Sequence, residues 1–368
     1  MQQASSAKRI IMTGGGTGGH IFPAIAIARA LQRLYAQTDI LFVGALGKME
    51  MEKIPQAGYP IEGLKIAGMN RGSLLKNLLL PFKLMDSIQQ AGRILKRYQP
   101  HAVVGVGGYA SFPVLYKAQR RGIPTVIQEQ NSEAGKSNKI LGKKARSICV
   151  AYEDMQKFFP ADRIIYTGNP VRENISRATV TREEALRHWG LTPGKKTVFA
   201  VGGSQGARSI NLALEQGLIH FIQQDVQLIW QTGAPFIERA REIVKPYEQQ
   251  VRVMEFVEHM EHAYAAADVV ISRAGALTIS ELCVAGKPVV FVPYPYAAED
   301  HQTRNAMALV RKQAALMVAD QAAGEQLVHT ALELIRHDNK RQQLIDNITP
   351  LGISNADERI AREIFRLL

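Results

Sequence analysis

A chain of 368 residues is long enough for two domains with full cores, and 46% apolar with 21% charged residues is ordinary for a globular protein. The net charge of +12 favours anionic partners, but the basic residues form no single block and show no zinc-finger or aromatic–glycine RNA-binding pattern, so nucleic acid is disfavoured against phosphorylated substrates or an acidic membrane surface. With two cysteines a disulfide framework is not indicated, which points to a reducing compartment; the opening MQQASSAKRI lacks a signal-peptide apolar region, and no run approaches the roughly 20 apolar residues of a spanning helix.

Strands are predicted in the first half at Ile10–Thr13, Ile40–Val43, His101–Val104, Thr125–Ile127 and Ser147–Val150. Helices are predicted between them at Pro23–Ala36, where Pro23 suits a first turn, and at Phe112–Arg121. This alternation reads as a parallel sheet covered by helices. Cys149 falls in the last of these strands and Cys283 in a later helix, both as small buried residues. The stretch Thr167–Arg177, with Gly168, Asn169 and Pro170, marks a hinge, followed by a helix at Thr181–Trp189 that Gly190 stops. The second half repeats the scheme, with strands at Thr197–Val201, Gln227–Trp230, Arg252–Phe256, Val269–Ser272, Val289–Val292 and Leu316–Val318. Helices are expected at Arg208–Gln223, Pro235–Val244, Leu277–Ala285 and Asp300–Lys312. The expected domains are residues 8–173 and 174–368, with a terminal helix able to cross back to the first.

Two glycine turns of nearly the same design punctuate this pattern, GGGTGGH at Gly14–His20 and GGSQGAR at Gly202–Arg208. Each follows a predicted first strand and opens a helix, an arrangement that turns unpaired backbone N–H groups and a positive helix end toward an anion. Glycine allows the positive φ and the close approach that a phosphate requires. Two such turns a domain apart suggest a doubled α/β architecture. A nicotinamide-binding fold should end its second strand with an acid for the ribose, and here that strand ends Phe42-Val43-Gly44-Ala45.

Four further clusters lie at predicted strand ends. VGVGGYAS at Val104–Ser111 is either a tight corner or the completion of an anion nest beside the first turn. QEQNSEAGKSN at Gln128–Asn138 places amides and acids at the ligand-facing edge. In SRAGALTISE at Ser272–Glu281, Gly275 permits a tight turn, Thr278 offers a hydroxyl, and Glu281 either reaches ribose hydroxyls or complements the helix end. In EDHQTRNA at Glu299–Ala306, Asp300 suits a helix cap, while His301, Gln302 and Asn305 suit sugar hydroxyls.

GGGTGGH, GVGGY, EQN, GNPVR, GGSQGAR, SRAGALTISE and HQxxNA, in this order from Arg9 to the terminal helices, closely resemble the bacterial undecaprenyl-diphospho-muramoylpentapeptide N-acetylglucosaminyltransferases, the MurG family. The resemblance implies an α/β GT-B fold of two Rossmann-like, doubly wound domains facing an interdomain cleft. It implies inverting transfer of N-acetylglucosamine from UDP-N-acetylglucosamine to the muramoyl C4 hydroxyl of lipid I. The product would be lipid II, formed at the cytoplasmic face of the inner membrane, with partners among cell-wall synthesis proteins and no cofactor. Thr17, Gly18 and Gly19 would lie near the donor sugar and acceptor, and Asn131, Arg172 and Ser204 would bind donor. Val257 matches a position whose backbone meets the uracil. Ala276, Leu277, Thr278, Ile279, Ser280 and Glu281 match the segment for diphosphate and ribose; Gln302 reads the sugar, beside Asn305. Gly14, Gly15, Gly107, Gly108 and Tyr109 are candidates for the acceptor diphosphate. Gln128 departs from the family, many members of which carry His there.

Displacement at the anomeric carbon builds charge on the leaving diphosphate, where N–H groups at a glycine turn or helix start help most. No DxD-type acid pair stands near either turn, so a metal is not expected there. For the acceptor proton, His20 is the leading candidate base because imidazole titrates near neutrality, with Glu129 the alternative; His20 as a mere brace of its turn stays open. The segment Gly72–Tyr98 is dense in Leu, Phe and Met among basic residues, and Leu75, Leu79, Phe82, Lys76 and Lys83 are expected to dock on an anionic membrane surface. Rival readings are a nucleotide-sugar-binding protein without turnover and another GT-B glycolipid glycosyltransferase, such as one acting on diacylglycerol.

Overall fold

The computed structural model describes residues 7–66 and 80–368, apart from the side chain of Leu80. The chain divides into two compact units, one of Met1–Val171 with Asn355–Leu368 and one of Arg172–Ser354.

The first unit runs β1 (Lys8–Thr13), α1 (Gly18–Leu34), β2 (Thr38–Ala45), α2 (Glu50–Gln56), β3 (Ile61–Leu64), α3 (Leu80–Tyr98), β4 (Ala102–Gly105), α4 (Ser111–Arg120), β5 (Thr125–Glu129), α5 (Lys136–Gly142), β6 (Ser147–Val150) and β7 (Ile164–Tyr166). Its seven strands lie in the order β3-β2-β1-β4-β5-β6-β7, with parallel pairing. The central strands are buried on both faces, Ile10 and Met12 against α1 and Ile11 and Val103 against α3 and α4, which is why they read as unbroken apolar runs. Two edge strands, β3 and β7, were not foreseen. Both are short and half-exposed, and so lack that run. Helix α1 begins at Gly18, within the glycine turn, so Pro23 sits buried inside the helix and not in its first turn as expected.

The second unit opens with α6 (Glu173–Ser176) and α7 (Arg182–Trp189), the latter held by a capping box between Thr181 and Glu184 and ended by Gly190 at φ +60°. There follow β8 (Thr197–Val201), α8 (Arg208–Gln223), β9 (Gln227–Gln231), α9 (Ile237–Val244), β10 (Val251–Met254), α10 (Met260–Ala266), β11 (Val269–Ser272), α11 (Ala276–Ala285), β12 (Val289–Phe291), α12 (His301–Val310), β13 (Leu316–Met317), α13 (Ala323–Arg336) and α14 (Asp338–Ile348). The strand order β10-β9-β8-β11-β12-β13 repeats the winding of the first sheet, again with parallel pairing. Trp230, fully buried, donates its indole N–H to Asn211 of α8, and Asn211 donates in turn to the Thr232 carbonyl at 2.8 Å.

The last helix, α15 (Ala356–Arg366), belongs to the first unit. It lies on α1, burying Ile360, Ala361 and Ile364 in the core of β1 and α1, while Phe365 stacks on Tyr35 at 3.5 Å. Arg33 pairs with Asp357 and Glu358 along the seam. Cys149 and Cys283 are buried free thiols, and burial pushes that of Cys283 up to about 12. Among the described residues no helix is long and apolar enough to cross a membrane.

Candidate active site

In a doubly wound sheet the winding reverses between the first strand and the fourth, and ligands bind beyond the carboxyl ends of the strands at that point. In the first unit this is the gap between β1 and β4, where both predicted glycine segments meet. A Cβ on Gly108, at φ +83°, would stand 2.3 Å from the Gly15 carbonyl, and one on Gly14 would touch the Gly107 carbonyl at 3.4 Å. Tyr109 packs on Gly16. Ser111 fastens the two loops by donating to the carbonyls of Thr13 (3.1 Å) and Gly107 (2.7 Å).

His20 rests on this assembly, its ring so close that a Cβ on Gly107 would lie 2.8 Å from Nε2. Nδ1 stands 3.1 Å from the Gly15 carbonyl and 3.2 Å from Thr17 Oγ1. A carbonyl only accepts, so the first contact requires Nδ1 to carry the proton and leaves Nε2 as the basic nitrogen of the neutral ring. Thr17 precedes α1 in extended backbone, and Gly18 and Gly19 begin the helix.

Sequence reasoning missed Glu50, which holds the turn from behind. Fully buried, it accepts from the N–H of Gly16 and of Ala45, both at 3.0 Å, and a Cβ on Gly15 would lie 2.1 Å from its carboxylate. It stands in MEMEKIPQ, a stretch that by pattern alone is a solvated helix face. Glu129 faces its own loop: Oε1 accepts from Asn131 N–H (3.1 Å), and Oε2 from Gly135 N–H (3.1 Å) and Asn138 Nδ2 (2.8 Å). Burial raises its pKa, with these hydrogen bonds opposing. Gln128, Gln130 and Asn169 form a buried amide chain, Gln128 donating to Asn169 at 2.9 Å and Asn169 to the Gln130 carbonyl at 3.0 Å. This chain joins the EQN and GNP segments and gives Gln128 a structural role.

In the second unit the corresponding gap, between β8 and β11, opens on a cavity of about 780 Å³. Arg172, Ser204, Val257, Thr278 and Gln302, which the resemblance assigns to the donor, are among the residues that line it. The glycine turn after β8 is pressed on the turn after β9: Gly206 has φ +72°, and a Cβ there would lie 1.9 Å from the Thr232 carbonyl. Gln231, another residue missed, ties the wall together by donating to the Gly203 carbonyl (2.8 Å) and accepting from Val257 N–H (2.9 Å).

Arg172, Arg208 and Arg273 give the cavity positive charge, against Asp320 alone among the described carboxylates lining it. Asp320 is occupied by Arg273 and Ser209, so the wall offers no pair of carboxylates for a divalent cation. Ala276, Leu277, Ile279 and Ser280 form the start of α11 behind Gly275 and Thr278, and Ile279 is buried. Glu281 is not on the cavity wall. Its buried carboxylate accepts from Arg172 Nε at 2.8 Å and from the Tyr264 hydroxyl at 3.3 Å. Burial raises its pKa and Arg172 opposes. Gln302 accepts from Tyr294 N–H at 2.9 Å, and Asn305 is fully buried in α12. Asp300 makes no helix-capping bond to backbone; it has φ +53°, directly after Glu299 at +55°, and accepts from Thr303 Oγ1.

Of the membrane candidates, Leu75, Lys76 and Leu79 lie outside the described residues. Phe82 and Lys83 are exposed in the first turns of α3, Phe82 by 69%, with Met85 exposed by 60% beside them.

Two doubly wound units of this kind, each with a glycine turn at its switch point and one with a basic cavity there, have the architecture of the GT-B class of glycosyltransferases. Residues 10–150 match the glycosyltransferase family 28 N-terminal domain and residues 197–361 its C-terminal domain. The chain is 50% identical over 361 residues to the UDP-N-acetylglucosamine–N-acetylmuramyl-(pentapeptide) pyrophosphoryl-undecaprenol N-acetylglucosamine transferase of Parabacteroides distasonis, covering 98% of each chain. It is 52% identical to that of Phocaeicola vulgatus over 98% of this chain and 96% of the relative. The crystal structure of Acinetobacter baumannii MurG matches with a TM-score of 0.80 at 29% identity, covering 98% of this chain and 99% of that one. The chain belongs to this family of N-acetylglucosaminyltransferases.

Proposed function

We propose that the protein transfers N-acetylglucosamine from UDP-N-acetylglucosamine to the muramoyl C4 hydroxyl of undecaprenyl-diphospho-muramoylpentapeptide, making lipid II for peptidoglycan. The basic cavity of the second unit carries this reading on the donor side, because three arginines and two glycine-bounded turns suit a nucleoside diphosphate. Arg172, oriented by Glu281, faces the diphosphate or ribose, Gln302 reads the sugar, and Val257 borders the base.

In the first unit the acceptor diphosphate is assigned to the turns at Gly14–Gly15 and Gly107–Tyr109. The C4 oxygen attacks the anomeric carbon from the face opposite the diphosphate, the C1–O bond breaks, and UDP departs with the bonding pair, inverting the centre. The C4 hydroxyl proton passes to Nε2 of His20, the nitrogen its turn keeps unprotonated. Glu129, with both oxygens engaged by its own loop, serves that loop. The acceptor's lipid tail requires work at a membrane surface, and the exposed Phe82, Lys83 and Met85 of α3 support peripheral docking on anionic lipid at the cytoplasmic face of the inner membrane.

The test is transfer of radiolabelled sugar from UDP-N-acetylglucosamine to a soluble lipid I analogue. Label in the disaccharide product is expected; donor binding without product would leave a nucleotide-sugar-binding protein, and transfer only to diacylglycerol would make it a different glycolipid enzyme.

A further inference from the structure

Away from the glycine turns, α7 and α10 pack together and bring three histidines and a glutamate to one corner of the second unit. His188 lies in the last turn of α7; His259 directly precedes α10, and Glu261 and His262 occupy its first turn. Nδ1 of His259 stands 3.2 Å, and Nδ1 of His262 3.4 Å, from the same carboxylate oxygen, Oε1 of Glu261. Two donors each about 2.0–2.1 Å from a tetrahedral ion are roughly 3.3 Å apart, so these are the separations of ligands around a shared metal. All three donor atoms fall within 4.8 Å of one another. The His188 ring lies beside them, centred 4.3 Å from that of His262 and 5.2 Å from that of His259.

Two further observations point to a ligand. Nδ1 of His262 is buried without a well-aligned hydrogen bond. Asn174 donates to the other oxygen of Glu261, which turns Oε1 toward the imidazoles, as an outer hydrogen bond orients a ligating carboxylate. Imidazole donors suit zinc, nickel or copper and are poor partners for magnesium or calcium.

We propose that His259, Glu261 and His262, with His188 beside them, form a binding site for a divalent transition metal, separate from the donor cavity. The site would clamp α7 to α10, whose first residue, Met260, is part of the cavity wall. The chemistry of transfer does not require it.

The experiment uses untagged full-length protein, stripped with chelator and dialysed, titrated with Zn²⁺ alone by calorimetry and with Co²⁺ alone by visible absorption. One equivalent is expected to bind, with tetrahedral Co²⁺ bands, and Zn²⁺ should raise the melting temperature. His259→Ala should weaken Zn²⁺ binding by at least about tenfold, and His259→Ala with His262→Gln should abolish it. His259 is exposed, so the single variant retains the fold, which circular dichroism checks; it decides the matter alone should the double variant unfold. Failure of wild-type protein to bind Zn²⁺, or affinity in folded His259→Ala within twofold of wild type, would overturn the proposal.

Discussion

His20 is positioned by the backbone it helps to fold, with Nδ1 on the Gly15 carbonyl and its ring over Gly107. If it is the base, His20→Ala should lower turnover by roughly 10²–10⁴-fold, the usual range for removing one, and erase the acidic limb of the pH–rate profile. Donor affinity should hold, because the cavity is lined by residues of the other unit. Parallel loss of UDP binding would instead make His20 a brace. Glu281 calls for a different measurement. Glu281→Ala removes the carboxylate that orients Arg172 toward the cavity, and calorimetry should show UDP binding weakened through the loss of that orientation. Unchanged binding by a folded variant would remove Glu281 from donor recognition. These residues were legible because they stand in glycine-rich or polar motifs at strand ends. Glu50 and Gln231 were not, since a buried carboxylate or amide that supports a turn looks in sequence like any surface side chain.

At the level of elements, each turn works because a second loop is pressed against it. Gly206 and Gly203 separate the two demands on glycine, for both have positive φ but only Gly206 faces a backbone atom. Gly203→Ala should cost about 1–2 kcal/mol, the left-handed backbone penalty alone. Gly206→Ala adds collision with the Thr232 carbonyl, for a total of roughly 2–5 kcal/mol, and should also weaken UDP by opening the turn. Denaturant melts and UDP titration of both variants check the ranking; equal effects would mean that close approach contributes nothing. The buried strands and the helices with clear glycine or proline punctuation were readable because burial on two faces imposes continuous apolar runs. Strands β3 and β7 escaped because IEGL and IIY are short, half-exposed segments that leave no pattern to find. The start of α1 was misplaced for a related reason: helix geometry enters the glycine turn itself, ahead of the proline that usually marks an entrance.

For the molecule as a whole, charge and apolar exposure meet at the start of α3. Phe82→Ser with Met85→Ser removes side chains that contribute little to the core, so sedimentation with anionic vesicles should fall by about tenfold or more while UDP binding persists. Undiminished sedimentation would place docking elsewhere. The path of the chain sets a further condition, since the first unit is complete only after the second has been traversed. Helix α15 supplies Ile360 and Ile364, both fully buried, to the core of β1 and α1. Ile364→Ala should therefore destabilise by about 2–5 kcal/mol, the range for truncating a buried aliphatic side chain. The loss belongs to the unit bearing the glycine turns of Gly14 and Gly107, and the cavity's lining residues all fall in the other. Transfer activity after mild heating should drop well before UDP binding does, a divergence that thermal inactivation followed by both assays would expose. Parallel loss of the two would show that the last helix serves both units at once.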